Sequence, residues 1–290
     1  MTLTTAQAFE SFLATINLTE AQRTEVTAKR IKTAEYLSTA FPSTSTLPLK
    51  RVILIGSADR GTLIRPLDDI DVMAEFINKD RIFETYRYES GDFLQRIRTA
   101  LQTNTTISKI GARGQAVRLF YTSGAHVDIA PVFSCSTGGF LLPSGDNGWI
   151  TTDPEKQATW MADRRTALGS NLTPVVKLLK RWNRVHSSRF SSYHLEVMTA
   201  SLFTQLGANW REALKVFFEH AGNNMDVNDP AGHSGSLSSY LTVDARTLIR
   251  SRFAEAKNRA VNALAYEAAG NHAEAKRLWK IELGGEFPTG

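Results

Sequence analysis

The stretch that decides the fold is IGSADRGTLIRPLDDIDV at residues 55–72, which joins a Gly-Ser pair to a pair of carboxylates. Asp69 and Asp71 are separated by one residue at the start of an apolar segment, DIDVMAEFI, that is typical of a strand. Because strand side chains alternate between faces, Asp69 and Asp71 project together and Ile70 points the other way. Two neighbouring carboxylates repel each other unless a cation lies between them. The pattern therefore predicts a metal site.

The Gly-Ser pair adds a second element of that site. Gly56 and Ser57 follow the apolar run RVILIG, which is predicted to be a buried strand. A turn of this kind offers backbone N–H groups and a hydroxyl, both of which suit a phosphate. The Gly-Ser turn and the acid pair together predict a site for a metal-bound nucleoside triphosphate.

A third carboxylate is needed if two metals are bound, and Asp128 in HVDIAP is the best candidate. Its apolar flanks predict a strand, where an unpaired charge is costly. We therefore predict that Asp69, Asp71 and Asp128 are catalytic and hold two Mg²⁺ ions, with Mn²⁺ able to substitute. The competing interpretation is a set of turn and helix-cap aspartates. His126 shares a strand face with Asp128, either as a metal ligand or, as we prefer, as a histidine of the core or of the surroundings of the site.

The composition sets limits on the class of protein. The chain has 290 residues, of which 42% are hydrophobic and 22% charged, as in ordinary globular proteins. Its net charge of +5 suits anionic ligands such as nucleotides. The single cysteine, Cys135, excludes an intrachain disulfide and a multi-cysteine zinc cluster. We see no signal-peptide pattern and no apolar run of roughly 20 residues, so we expect a cytoplasmic protein without a membrane role.

The chain changes character near residue 154. Before it, a helical segment with a capping box at Thr19 and Gln22 precedes β-rich runs, which end in a Gly-rich stretch, 136–148, predicted to be a loop. After it, the pattern is helical apart from a loop at 222–240. The prediction is an α+β fold: a catalytic core with a mixed, twisted sheet over residues 1–170, and a helical lobe over 171–290 that closes a nucleotide cleft.

The helical lobe carries candidate phosphate ligands. In LTPVVKLLKRWNRVH, residues 172–186, Lys177, Lys180 and Arg184 form a basic face opposite an apolar stripe. That face is either simply solvated or, beside a triphosphate, supplies a phosphate ligand. Ser192 lies where a helix begins, a position that favours both capping and phosphate binding. Tyr193 is either a packing residue or a residue that stacks on a base.

Taken together, the motifs resemble a known family. G-S-x-x-R-G-T-x-I-x-P-x-x-D-I-D-V, V-D-I-A-P, V-K-L-L-K-R-W-N-R and S-S-Y-H-L-E occur in this order between about residues 50 and 200. They resemble the bacterial cGAS/DncV-like nucleotidyltransferases (CD-NTases), cyclic oligonucleotide synthases of the DNA polymerase β-like superfamily. The Gly-Ser and Asp-x-Asp motifs mark the superfamily, whereas R-G-T-x-I-x-P and S-Y-H-L-E narrow the resemblance.

The resemblance implies roles for individual residues. It assigns Asp69, Asp71 and Asp128 to metal binding and Gly56 and Ser57 to the donor triphosphate. It also assigns the helical-lobe residues to nucleotide binding: Lys180 and Ser192 to phosphate, Lys177 more weakly so, and Tyr193 to stacking on a nucleobase.

The implied activity is the condensation of nucleoside triphosphates into a cyclic di- or trinucleotide, with release of pyrophosphate. We expect ATP, GTP or both as substrates, with pyrimidine nucleotides as the alternative. Such products activate a separate effector protein in anti-phage (CBASS) defence, and a regulatory protein partner can be involved. Because one cysteine cannot build the zinc ribbon of the animal DNA sensor, we expect no activation by double-stranded DNA.

Other functions remain open. One alternative is a nucleotidyltransferase that makes linear 2′-5′ oligonucleotides or transfers a nucleotide to an RNA, protein or small-molecule acceptor. An alternative of another class is a non-catalytic nucleotide-binding scaffold. The motifs do not indicate which nucleotides are joined, the ring size or the linkage.

Overall fold

The computed structural model describes residues 3–102, 109–187 and 189–290. The chain divides into two compact units. The sheet unit comprises Leu18–Arg60 and Pro66–Ala158, and the helical unit comprises Met1–Asn17, Gly61–Arg65 and Thr159–Gly290.

A seven-stranded mixed sheet forms the sheet unit. Its strands are β1 (Leu49–Leu54), β2 (Asp69–Phe76), β3 (Lys109–Arg113), β4 (Ala116–Phe120), β5 (His126–Ser134), β6 (Phe140–Pro143) and β7 (Trp149–Thr152). The main order is β1-β2-β5-β4-β3, with β6 beside β5 and β7 beside β6. The β2–β5 pair is parallel and the other pairs are antiparallel, which confirms the predicted mixed sheet.

Eleven α-helices are described. They are α1 (Thr5–Ile16), α2 (Glu20–Ala40), α3 (Gly56–Asp59), α4 (Phe83–Tyr86), α5 (Ser90–Leu101), α6 (Pro154–Leu168), α7 (Leu172–Val185), α8 (Ser192–Leu202), α9 (Trp210–His220), α10 (Val243–Ala268) and α11 (His272–Leu283). The capping box predicted at Thr19 and Gln22 begins α2, since the Thr19 side chain accepts a hydrogen bond from Gln22 N at 3.2 Å. Of these described helices, none is both long and apolar enough to cross a membrane.

An aromatic cluster forms part of the core of the sheet unit. The apolar side chains of α5 recur at helical spacing, so one face of that helix is buried. From that face Phe93 stacks on Phe133 at a centroid distance of 4.8 Å and meets the edge of Phe76 at 5.5 Å. Fully burying each such ring stabilises the fold by about 1.5–3 kcal/mol.

The helical unit has a core of its own. On α7, Trp182 stacks on Phe253 of α10 at 5.1 Å. Helix α1 contributes Phe9, whose ring contacts both Trp279 and Phe287 at 5.1 Å. Ile64 also belongs to this core and is fully buried. The spacer of the 55–72 stretch therefore contributes to the helical unit, while the motifs on either side of it belong to the sheet unit.

Two local predictions need correction, and two strands were not predicted. The Gly-rich stretch 136–148, predicted to be a loop, contains β6, because its backbone pairs with β5 at Phe133 and Ser134. β3 and β7 were not predicted; β3 pairs with β4 in a local hairpin whose turn is residues 114–115, and β7 pairs with β6. Helix α8, which the sequence pattern predicts over residues 192–206, ends at Leu202, because Phe203 is extended with ψ 134°.

Candidate active site

Parallel strands β2 and β5 place the predicted acids beside one another. In their register Asp69 is opposite His126, and Asp71 is opposite Asp128. Ile70 is fully buried, whereas Asp69 and Asp71 are partly exposed on the other face, as alternation requires. The carboxylates therefore lie on the same face of two adjacent strands.

One set of side chains in the described part of the chain has the spacing of a metal site. It consists of Asp69, His126 and Asp128, whose potential ligand atoms all lie within 4.8 Å of one another. Carboxylate oxygens are the ligands that Mg²⁺ prefers, and a histidine nitrogen suits Mn²⁺ better than Mg²⁺. The donor set therefore fits a divalent cation. Asp71 is not a member of this set, although it lies beside Asp128 in the sheet.

The Gly-Ser turn lies against Asp71. Gly56 has φ +66°, and a Cβ added to it would be 2.7 Å from Asp71 Oδ2, closer than such atoms approach one another. The N–H of Ile55 donates to the Asp71 carbonyl oxygen at 3.1 Å. Glycine is therefore required at residue 56 both by its backbone conformation and by the carboxylate beside it. Ser57 directly follows Gly56 and is the second residue of α3.

Asp69, Asp71 and Asp128 form an acid cluster, and Arg118 lies against it. The sequence motifs did not indicate this arginine. It lies opposite Asp128 in the β4–β5 pair. Its Nε and Nη2 donate to the two oxygens of Asp128 at 2.6 and 2.5 Å, and Nη2 is 4.0 Å from Asp69 Oδ2. The hydrogen bonds with Asp128 raise the pKa of the Arg118 guanidinium, partial burial opposes this, and the charges of Asp69 and Asp71 add to it.

A signal for Arg118 is present in the sequence. It is a lone charge between the buried residues Val117 and Leu119. Arg118 and Asp128 each lie five residues from Ser123, so a hairpin centred on that residue pairs them.

In the helical unit, Lys180 is part of a buried polar network. Its Nζ donates to Glu196 Oε1 at 3.0 Å, and the Thr62 hydroxyl donates to the same oxygen at 2.8 Å. Lys180 is 5% exposed and Glu196 is fully buried. Lys180 thus lies beside a carboxylate and the R-G-T segment.

The remaining predicted residues of the helical unit lie on α7 and α8. Lys177 Nζ donates to Asn17 Oδ1 at 2.8 Å. Ser191, not Ser192, caps α8 by accepting from His194 N at 3.3 Å, and Ser192 is the first helical residue. Ser192 therefore lies in the first turn of α8, and its predicted role in phosphate binding stays a prediction.

Tyr193 is oriented through its hydroxyl, which donates to Asp229 Oδ1 at 2.8 Å. Asp229 is 5% exposed and also accepts from the backbone N–H groups of Ala231, His233 and Ser234. Burial alone would raise the pKa of the Asp229 carboxyl, but the hydrogen bonds from Tyr193 and the backbone outweigh it and lower the pKa. The loop after α9 is therefore tied to Tyr193.

The sequence matches a family model, described as the Second Messenger Oligonucleotide or Dinucleotide Synthetase domain (SMODS), over residues 1–164. The match spans more than half of the chain. The chain belongs to this family.

Relatives and a solved structure agree with this assignment. A probable cyclic nucleotide synthase of Bacillus cereus (strain VD146) is 27% identical over 83% of this chain and 83% of its own. A cyclic AMP-AMP-AMP synthase of Escherichia coli (strain MS 115-1) is 28% identical over 67% of this chain and 66% of its own. The structure of E. coli MS115-1 CdnC with ATP superposes with a TM-score of 0.78 at 19% identity and covers 99% of each chain.

The protein is therefore a nucleotidyltransferase of the class that synthesises oligonucleotide or dinucleotide second messengers. The family resemblance and the fold expected from the motifs are confirmed.

Proposed function

We propose that this chain condenses nucleoside triphosphates, ATP among them, into a cyclic di- or trinucleotide at the acid cluster of β2 and β5. The observation that carries the proposal is the placement of Asp69 and Asp71 beside Asp128, with Gly56 against Asp71, in a family of second-messenger synthetases. One relative is a cyclic AMP-AMP-AMP synthase, and the structure of CdnC contains ATP, which supports ATP as a substrate.

Asp69, Asp71 and Asp128 would hold Mg²⁺, with two ions in the full site, and His126 stands close enough to assist if Mn²⁺ replaces it. When bound, magnesium would supply positive charge to the phosphate oxygens and to the pyrophosphate leaving group. The carboxylates supply the negative charge that retains the cation. We also assign to Asp128 the role of accepting the proton of the attacking hydroxyl.

In the reaction, a ribose hydroxyl of the acceptor nucleotide attacks the α-phosphorus of the donor. The bond from that phosphorus to the bridging oxygen breaks, pyrophosphate leaves, and the hydroxyl proton passes to Asp128 and then to water. A further attack closes the ring. The protein forms no covalent intermediate, so it acts by positioning and by electrostatics.

The donor triphosphate would be bound by Gly56 and Ser57, and by Lys180 and Ser192, with Lys177 as a weaker phosphate ligand. Tyr193 would stack on a nucleobase, and its bond to Asp229 would keep the ring in one orientation. We also propose the functional division into a core, 1–170, and a lobe, 171–290, that closes over the nucleotides.

The proposed setting is the bacterial cytoplasm. There the cyclic product would be sensed by a separate effector protein in anti-phage defence, with a regulatory protein partner and without activation by double-stranded DNA. The family match supports the second-messenger part of this proposal.

Two other activities would use the same site: synthesis of linear 2′-5′ oligonucleotides, and transfer of a nucleotide to an RNA, protein or small-molecule acceptor. A non-catalytic nucleotide-binding scaffold is a third alternative. Intact acids on β2 and β5 favour catalysis over the scaffold.

The test is pyrophosphate release from a four-nucleotide mixture with Mg²⁺ or Mn²⁺. The wild type should release pyrophosphate, and a variant carrying Asp69→Asn and Asp71→Asn should not. A wild type that binds nucleotide but releases no pyrophosphate contradicts the proposal and favours the scaffold.

A further inference from the structure

Arg118 and Asp128 form a tightly matched ion pair. The planar guanidinium meets both carboxylate oxygens, at 2.6 and 2.5 Å, in the two-pronged geometry that makes such pairs strong. Their side chains are 13% and 14% exposed, so water screens the pair weakly. Strand pairing fixes the backbone of both residues opposite one another.

This pair uses the same oxygens as the proposed metal site. Asp128 is a member of the set whose ligand atoms lie within 4.8 Å of one another, and Asp69 Oδ2 is 4.0 Å from the guanidinium. A divalent cation bound to Asp128 shares at least one oxygen with Arg118, so the two positive groups compete for the charge of one carboxylate. The cation and the guanidinium also repel each other at this distance.

We propose that Arg118 is a built-in counter-ion of the acid cluster, which competes with a divalent cation for Asp128 and is displaced from at least one of its oxygens when the cation binds. In the metal-free protein Arg118 balances part of the negative charge of Asp69, Asp71 and Asp128. The inference rests on the proposed function only in taking Asp128 as a metal ligand.

If Arg118 instead orients Asp128 for the metal, the predicted change in metal affinity has the opposite sign. If Arg118 only orients Asp128 for the metal, its removal should weaken metal binding, as the loss of outer-shell partners generally does. If Arg118 competes, its removal should strengthen metal binding. The sign of the change separates the two roles without any measurement of turnover.

The experiment measures Mn²⁺ binding to purified protein without nucleotide, from the electron paramagnetic resonance signal of free Mn²⁺. Arg118→Met keeps an unbranched, flexible side chain but removes the guanidinium and its charge, and should bind Mn²⁺ about tenfold more tightly than the wild type. Arg118→Lys keeps a positive charge without the two-pronged contact. Its Mn²⁺ affinity should lie between those of the wild type and Arg118→Met. Adding Asp128→Asn to Arg118→Met should remove the gain.

Arg51→Met is the matched control. Arg51 is also a paired arginine of the sheet, bonded to Glu75 at 2.6 Å and to Glu155 at 2.7 Å. Its loss should lower the melting temperature and leave the Mn²⁺ affinity as in the wild type.

A second measurement covers stability. Without metal, Arg118→Met should melt below the wild type because the carboxylates repel each other, and Mn²⁺ should raise its melting temperature by more than it raises that of the wild type. If Arg118→Met does not fold, the Mn²⁺ affinity of Arg118→Lys, compared with that of the wild type, tests the proposal.

Unchanged or weaker Mn²⁺ binding in the Arg118 variants, or no binding in any protein, overturns the proposal. Failure of the proposed function is a separate result: it would appear as tighter Mn²⁺ binding by the Arg118 variants together with no nucleotide product from the wild type.

Discussion

Gly56 and Asp71 are in such close contact that the carboxylate occupies the space of a side chain at residue 56: an added Cβ would be 2.7 Å from Asp71 Oδ2. The Gly-Ser turn and the acid pair are therefore one site in space as well as one motif in sequence. The lack of a side chain at Gly56 leaves room for the Asp71 carboxylate, in addition to any contact between the Gly56 N–H and phosphate.

Gly56→Ala should move the Asp71 carboxylate and strain the backbone. We expect a loss of about a hundredfold in turnover, since misplacing a reacting group by about 1 Å has that effect. The strain at φ +66° should cost about 1–2 kcal/mol of stability. Pyrophosphate release and urea unfolding measure the two effects.

Gly114→Ala is the matched control. Gly114 also has a positive φ, +58°, but an added Cβ there meets nothing within 4 Å. This variant should lose similar stability and keep its activity. Equal losses of activity in both variants would show that backbone strain alone, and not the contact with Asp71, limits turnover.

Asp69→Asn and Asp128→Asn should both remove more than about a hundredfold of the activity, beyond the effect typical of outer-shell partners, but they should differ in stability. Asp69 is 47% exposed, so its neutralisation costs little. Asp128 is 14% exposed and paired with Arg118, so Asp128→Asn should cost about 3 kcal/mol by removing the charged, two-pronged partner of a partly buried guanidinium. Urea unfolding compares the two; equal stabilities would mean that the ion pair contributes little to the fold.

Glu196→Ala should destabilise the helical unit by about 3–5 kcal/mol, because it leaves the ammonium group of Lys180 in a buried position without this carboxylate. Adding Lys180→Met should restore part of that loss. Urea unfolding of the single and double variants measures the coupling. A double variant whose loss equals the sum of the two single losses would contradict the interaction.

Stability should fall in mild acid because of His194. Burial lowers the pKa of this histidine; the hydrogen bond to the Met225 carbonyl opposes that effect, Arg246 adds to it and Asp226 opposes it. The unfolded chain takes up its proton near the ordinary value of about 6.5, above the pKa in the folded state. The contribution of neutral His194 is therefore present above about pH 6.5 and is lost as the pH falls towards the folded pKa, by about 1.4 kcal/mol per pH unit at most.

The unfolding free energy of the wild type should accordingly decrease between pH 7.5 and 5.5. His194→Gln should be less stable throughout, because the bonds to Tyr240 and Met225 change, but it should show a smaller decrease. The same pH slope in both proteins would assign the acid sensitivity to other groups.

The sequence predicted much of the fold, for reasons that particular residues make clear. The polar-apolar alternation at Asp69, Ile70 and Asp71 is a local property of a strand, and it is observed. The capping box at Thr19 is local as well. Strands β3, β6 and β7 were missed because they are short, too short for a clear alternation of polar and apolar residues, although their partners lie near them in the sequence.

In the candidate site, too, some features could be predicted from the sequence and others could not. The acids were visible as lone charges in apolar strands, whereas the contact of Arg118 with Asp128 depends on the register of a hairpin. The burial of Lys180 beside Glu196 depends on the packing of α7 against α8. Residue types and spacing predict which chemistry is present; which charges pair depends on strand register and helix packing.

The most direct test of the central claim is mass spectrometry of the products formed from ATP, GTP, CTP and UTP with Mg²⁺, after treatment with phosphatase. The account predicts a phosphatase-resistant product whose mass equals a whole number of nucleoside monophosphates less one water for each, and its absence with Asp69→Asn and Asp71→Asn. A product that phosphatase shortens, a nucleotide attached to another acceptor, or no product at all would contradict it.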